Sequence, residues 1–106
     1  MANFEVKIEE RPGVLVVRIS GDLDLAAFDE ANELLANAQS DGYNDVRIDL
    51  RDLQFIDSTG IRLLLLAQRR AEQRGEGFCI VKGNEHIQQV FALTDLDRRL
   101  PFCDEA

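Results

Sequence analysis

Residues 14–50 read VLVVRISGDLDLAAFDEANELLANAQSDGYNDVRIDL, and three hydrophobic periods succeed one another within them. Val14-Leu15-Val16-Val17-Arg18-Ile19 is a dense β-branched run, the composition of a well-buried strand. From Leu25 to Gln39 the period lengthens. At about 100° per residue, Ala27, Phe28, Ala31, Leu34, Leu35 and Ala38 share one face, while Asp29, Glu30, Asn32, Glu33 and Asn37 look away. That is an amphipathic helix, ended by Ser40-Asp41-Gly42 with Gly42 suited to the left-handed position behind a helix. Val46, Ile48 and Leu50 then alternate as a strand. Strand, helix and strand in this order predict a right-handed parallel crossover.

The flanks extend the pattern. Phe4, Val6 and Ile8 alternate with Glu5, Lys7 and Glu9, a strand with one wet face. Arg11-Pro12-Gly13 is a turn, so the first two strands form a hairpin. Downstream, Leu53-Gln54-Phe55-Ile56 leads into Asp57-Ser58-Thr59-Gly60, and a second helix is expected from about Thr59 to Arg74. Its inward residues are Ile61, Leu64, Leu65, Ala67 and Ala71. Arg62, Arg69 and Gln73 share another face with Leu66 among them. Phe78 to Val81 is a strand, Asn84 an N-cap, and Glu85 to Leu93 a third helix with Ile87, Val90 and Phe91 inward. Leu100-Pro101-Phe102-Cys103 adds a short edge strand, where proline is tolerated. The order is ββαβαβα(β): one α/β domain over residues 1–106, with a mixed, mostly parallel sheet of four to five strands and helices packed on it.

Composition bounds the function. The 106 residues are 45% hydrophobic and 30% charged, with 12 basic against 20 acidic residues and a net charge of −8. A nucleic-acid surface needs clustered Lys and Arg, and an anionic membrane surface needs the same. The N-terminus, Met1-Ala2-Asn3-Phe4, has no basic-then-apolar leader, and the longest apolar run, Leu63 to Ala67, is far below the roughly 20 residues of a membrane span. A cytoplasmic chain with no nucleic-acid partner and no membrane insertion is expected. In that setting Cys79 and Cys103 are expected as two reduced thiols, with Cys79 in the core. His86, the one histidine, is expected to be exposed in the first turn of the third helix, and the chain has too few His and Cys for a metal site. No cofactor is implied.

Phe55-Ile56-Asp57-Ser58-Thr59-Gly60 carries most of the chemistry. Asp57 or Ser58 can cap the second helix by accepting from its orphan amides. An aspartic-protease half-site would need Gly two residues after Asp57, and Gly60 is three. Gly-x-Ser-x-Gly and the Gly-x-x-x-x-Gly-Lys phosphate loop are both absent. A regulatory serine is the third reading. A phosphate at a helix N-terminus is welcomed by its own chain, yet adds about −1.5 to −2 charges to any interface built there.

With these residues quoted, the chain resembles the STAS domain family, in particular the bacterial anti-sigma-factor antagonists. Ser20-Gly21-Asp22-Leu23-Asp24 resembles the family's Gly-Glu/Asp-Leu-Asp after the second strand. Leu50 to Ile61 resembles its Asp-Ser-Ser/Thr-Gly signature with an apolar lead-in. The resemblance implies that the chain is no enzyme. It would bind, unphosphorylated, an anti-sigma factor that is also a serine kinase, and so free a sigma factor. Phosphorylation would fall on Ser58, and a metal-dependent phosphatase would reset the switch. Asp22, Asp24, Asp57, Thr59, Gly60, Arg62 and Leu66 would form the partner surface. A different reading within the same family is an adaptor subunit of a membrane-associated lipid-transport ABC system, for which no serine chemistry is needed. The chain departs from the family pattern at Ala27, where Thr or Ser often caps the first helix, at Arg62, and at Asp95, where Gly is common at both.

Overall fold

A computed structural model describes residues 3–105; Met1, Ala2 and Ala106, at the ends of the expected domain, lie outside the described residues. The elements are β1 (Phe4–Arg11), β2 (Val14–Leu23), α1 (Leu25–Gln39), β3 (Asp45–Asp49), β4 (Leu53–Ile56), α2 (Ser58–Gln73), β5 (Gly77–Val81), α3 (Glu85–Leu93) and β6 (Phe102–Cys103). β1 and β2 form the expected antiparallel hairpin around Pro12-Gly13, with Gly13 at φ 74°. All other pairings are parallel, and the sheet runs β1-β2-β3-β5-β6. β2 is long enough to take two partners in succession: β3 against Val14–Arg18, then β4 against Gly21–Leu23.

Period-2 alternation sorts the sheet into unlike faces. Leu15, Val17, Ile19 and Leu23 of β2, Val46 and Ile48 of β3 and Ile80 of β5 join one buried cluster with Ala27, Ala31 and Leu35 of α1, Leu63, Leu64 and Ala67 of α2, and Ile87 and Phe91 of α3. All three helices therefore cover one face. The opposite face carries Arg18, Arg47 and Asp49 and is laced by ion pairs: Glu9–Arg11, Glu9–Arg18, Arg18–Asp49, Arg51–Asp49 and Arg47–Asp45. Asp49 is only 4% exposed. Burial works against its ionisation, but hydrogen bonds from the Arg51 side chain and amide, with Arg18, hold its carboxyl below the usual range.

Several expectations are corrected. The sheet has six strands rather than four to five, because Leu53–Ile56 is itself a strand. Leu34 and Leu65 are exposed, and Leu63 takes the inward place on α2, where that helix meets α1 as well as the sheet. Gln39, at the end of α1, is fully buried and donates to the Ala67 carbonyl of α2 at 3.0 Å while accepting from Arg70 Nε at 2.8 Å. Cys79 and Cys103 are not two thiols but a disulfide, with Cα atoms 6.0 Å apart, and Cys79 is half-buried on the helix-free face rather than in the core. Parallel β5–β6 pairing sets Val81 against Cys103, so Cys79 and Cys103 project from one face as diagonal neighbours.

Candidate functional site

The parallel register Leu23↔Ile56 places the ends of β2 and β4 side by side, and the next residue in each chain is an aspartate that starts a helix. Asp24 caps α1, accepting from the Ala27 amide at 3.1 Å. Asp57 caps α2, accepting from the Thr59 amide at 2.9 Å and the Gly60 amide at 3.1 Å. The Asp57 amide reaches back to the Leu23 carbonyl at 3.4 Å, tying the two loops together. Both extended caps orient their helices so that two positive dipole ends emerge at one edge of the sheet. Ala27 does not displace the start of α1, because Asp24 supplies the cap that Thr or Ser would otherwise give.

Ser58 follows Asp57 as the first residue of α2 and is exposed, its hydroxyl making no hydrogen bond to another described residue. Thr59 is half-buried and Gly60 buried. A Cβ on Gly60 would fall 2.7 Å from Ile56 Cγ1 and closer still to the Leu23 carbonyl oxygen, so its absence sets how near α2 lies to β2. Gly60 therefore shapes the site without presenting a surface. Asp22 sits two residues before the Asp24 cap, opposite Phe55, its amide on the Asn3 carbonyl at 2.8 Å. Arg62, one helical turn beyond Ser58, is exposed and lies over the Phe28 ring of α1 at 5.5 Å. Leu66 is half-buried and Arg69 exposed. The structure thus gathers Asp24, Asp57, Ser58 and Thr59 at one strand end. Arg62, Leu66 and Arg69 extend from them along α2.

Residues 5–105 match the family model for the STAS domain. The chain belongs to the STAS family. The anti-sigma F factor antagonist of Paenibacillus polymyxa is 27% identical over 96% of this chain and 88% of that protein. A crystal structure of an anti-sigma factor antagonist from Mycobacterium paratuberculosis superposes with a TM-score of 0.85 at 23% identity, covering 96% of this chain and 86% of that one. The Bacillus cell fate determinant SpoIIAA in its phosphorylated form gives a TM-score of 0.71 at 21% identity over 95% of this chain and 93% of that one. At these identities the two structural likenesses speak for the fold.

Sequence reasoning missed two apolar contributors to this edge of the STAS domain. Leu25 is 76% exposed and opens α1 as Ser58 opens α2, so the two stand at matching positions of neighbouring helices. Phe55, the partner of Asp22 in the sheet, is exposed as well. The signal for Leu25 was its place outside the inward arc of α1. Phe55 had none, since its strand was not recognised. The third departure from the family pattern, Asp95, takes up the conformation that glycine favours there, with φ 61°.

Proposed function

We propose that this STAS domain is an anti-sigma-factor antagonist, a cytoplasmic regulatory binding protein rather than an enzyme. Unphosphorylated, it binds an anti-sigma factor with serine-kinase activity and frees a sigma factor. Phosphorylation of Ser58 ends that binding, and a metal-dependent phosphatase restores it. The observation that carries the reading is the exposed Ser58 directly after the Asp57 cap, at the strand end where the Asp24 cap also stands. A phosphate added there lies at the positive end of the α2 dipole, with that of α1 nearby, so the fold tolerates it. A partner docked across Asp24, Ser58, Thr59, Arg62 and Leu66 meets new negative charge instead. The names of the curated relatives support the same assignment.

The test is incubation with the candidate anti-sigma kinase, ATP and magnesium, followed by mass mapping and binding measurements. Label is expected on Ser58 alone. Ser58→Ala should bind and resist phosphorylation, and Ser58→Asp should bind more weakly by about 1–3 kcal/mol. Equal affinities of the two variants would remove the switch.

A further inference from the structure

The Cys79–Cys103 bond lies far in function from Ser58: it sits on the helix-free face and joins the last strand to its neighbour. β6 has only two residues. Besides the pairing of Ile80 with Phe102 and Val81 with Cys103, backbone hydrogen bonds at its ends hold it to β5, Ile80 N–H to the Pro101 carbonyl at 2.9 Å and Lys82 N–H to the Cys103 carbonyl at 3.1 Å. Its Phe102 ring meets Phe91 of α3 edge-on at 5.1 Å. So short an edge strand is weakly held by pairing alone, and the disulfide is its one covalent tie. Both cysteines are half-buried rather than enclosed in the core. Arg47, opposite Cys79 in the sheet, is engaged by Asp45 at 2.8 Å, and Lys82, which follows the residue facing Cys103, is engaged by Asp104 at 3.6 Å, so exchange here rests on access and on the leaving thiol rather than on uncompensated positive charge.

We propose that Cys79 and Cys103 form a reversible redox latch on the C-terminal strand, opened by a dithiol reductant of the thioredoxin class. A reductant thiolate attacks one sulfur, the S–S bond breaks, and the other cysteine leaves as a thiolate. The second reductant thiol then displaces the mixed disulfide. Two electrons and two protons pass to the protein, giving two thiols, and the reductant leaves as its own disulfide. With the latch open, β6 rests on its short ladder with β5, the Phe102–Phe91 contact and the exposed Lys82–Asp104 and Arg47–Glu105 contacts that follow it. A bond of this kind endures in an oxidising compartment and is transient in a reducing one, so the state of β6 would report the redox poise around the domain.

The experiment uses the full-length wild-type chain under native conditions. It is equilibrated in dithiol buffers of graded poise, quenched with a maleimide mass tag, and followed by hydrogen exchange. Tags are expected on both cysteines or on neither, in monomeric protein, reversing when the buffer is reoxidised. On reduction the Ile80 and Lys82 amides should exchange faster by about tenfold or more, while those of β2 and β3 stay unchanged. The Cys79→Ser, Cys103→Ser double variant should exchange like the reduced protein and ignore the buffer. The proposal is overturned if oxidising buffer yields no intramolecular bond, if the bond resists reduction until the protein is unfolded, or if reduction leaves Ile80 and Lys82 exchange unchanged.

Discussion

Gly60 lies in the first turn of α2, and within a helix alanine is ordinarily favoured over glycine by about 1 kcal/mol. Here the opposite sign is expected. A Cβ at this position would sit 2.7 Å from Ile56 Cγ1 and 3.0 Å from Leu23 Cγ, and it would overlap the Leu23 backbone carbonyl. A side-chain end can swing aside, but that carbonyl belongs to β2 in the middle of the sheet. Relief requires α2 to retreat by roughly an ångström, which loosens Ile61 and Leu64 in the core and stretches the Asp57 amide bond to Leu23, already 3.4 Å. Overpacking of this kind costs about 1–3 kcal/mol. Set against the propensity gain, Gly60→Ala should lose about 0–2 kcal/mol, a fall in Tm of up to roughly 10 °C for a domain of this size. Urea and thermal unfolding measure it, with exposed Ser58→Ala as a control expected within about 0.5 kcal/mol of wild type. A Gly60→Ala protein stabilised by the full propensity gain of about 1 kcal/mol refutes the close approach of α2 to β2 and with it the account of how Ser58 is positioned.

Asp95 occupies the left-handed position after α3, with Leu96 N–H on the Phe91 carbonyl at 2.8 Å and Asp95 N–H on Ala92 at 3.2 Å, so Asp95→Gly should raise the urea midpoint by the equivalent of about 0.5–1 kcal/mol. Asp49→Asn should cost about 1–3 kcal/mol near neutral pH by replacing the charged acceptor shared by Arg18 and Arg51 with a neutral amide, one of whose two positions is a donor. Because the folded carboxyl titrates below its ordinary value, that contribution is full above about pH 4 and is lost as pH falls through the folded value, so the variant should show a flatter acid limb in a stability–pH series. The single tyrosine, Tyr43, should ionise near 12 by phenolate absorbance, pushed up by its hydrogen bond to Glu10, by burial and by the charges of Glu10 and Asp41. Glu10→Gln should bring it back toward 10. In the unmodified protein this hydrogen bond favours folding below about pH 10 and stops doing so as pH rises toward the folded value.

The crossover and the helices were legible because one periodicity governs each of them. The span of α1 was readable to the residue, and that of α2 to within one. β4 was not readable: only Leu53 and Ile56 of its four residues are buried, a spacing of three that fits no strand. The cause lies elsewhere in the chain, in the register shift where Gly21 and Asp22 meet it. Gln39 reads as a polar helix end, and only a carbonyl 28 residues away explains its burial. The disulfide escaped for a similar reason, since two-residue β6 has too little pattern to predict the pairing that aligns the cysteines. At the candidate site, the cap chemistry of Asp57 could be read locally, and Arg62 could be placed one turn from Ser58. That Asp24 stands next to Asp57 could not, because it follows from the unrecognised pairing of β2 with β4.

The two adjoining caps divide labour among the residues that start α1 and α2 and those that continue along α2. Asp24, Asp57 and Gly60 answer to backbone amides and a strand carbonyl, so the fold itself forbids them to drift. Leu25, Arg62 and Arg69 answer to nothing in the backbone. A genome that copies such a domain can therefore rewrite the outer set freely while the inner set keeps the serine in place. Sister switches built on one chassis can then carry different addresses and stay deaf to each other's partners. Crosstalk between them would be governed by the outer set alone.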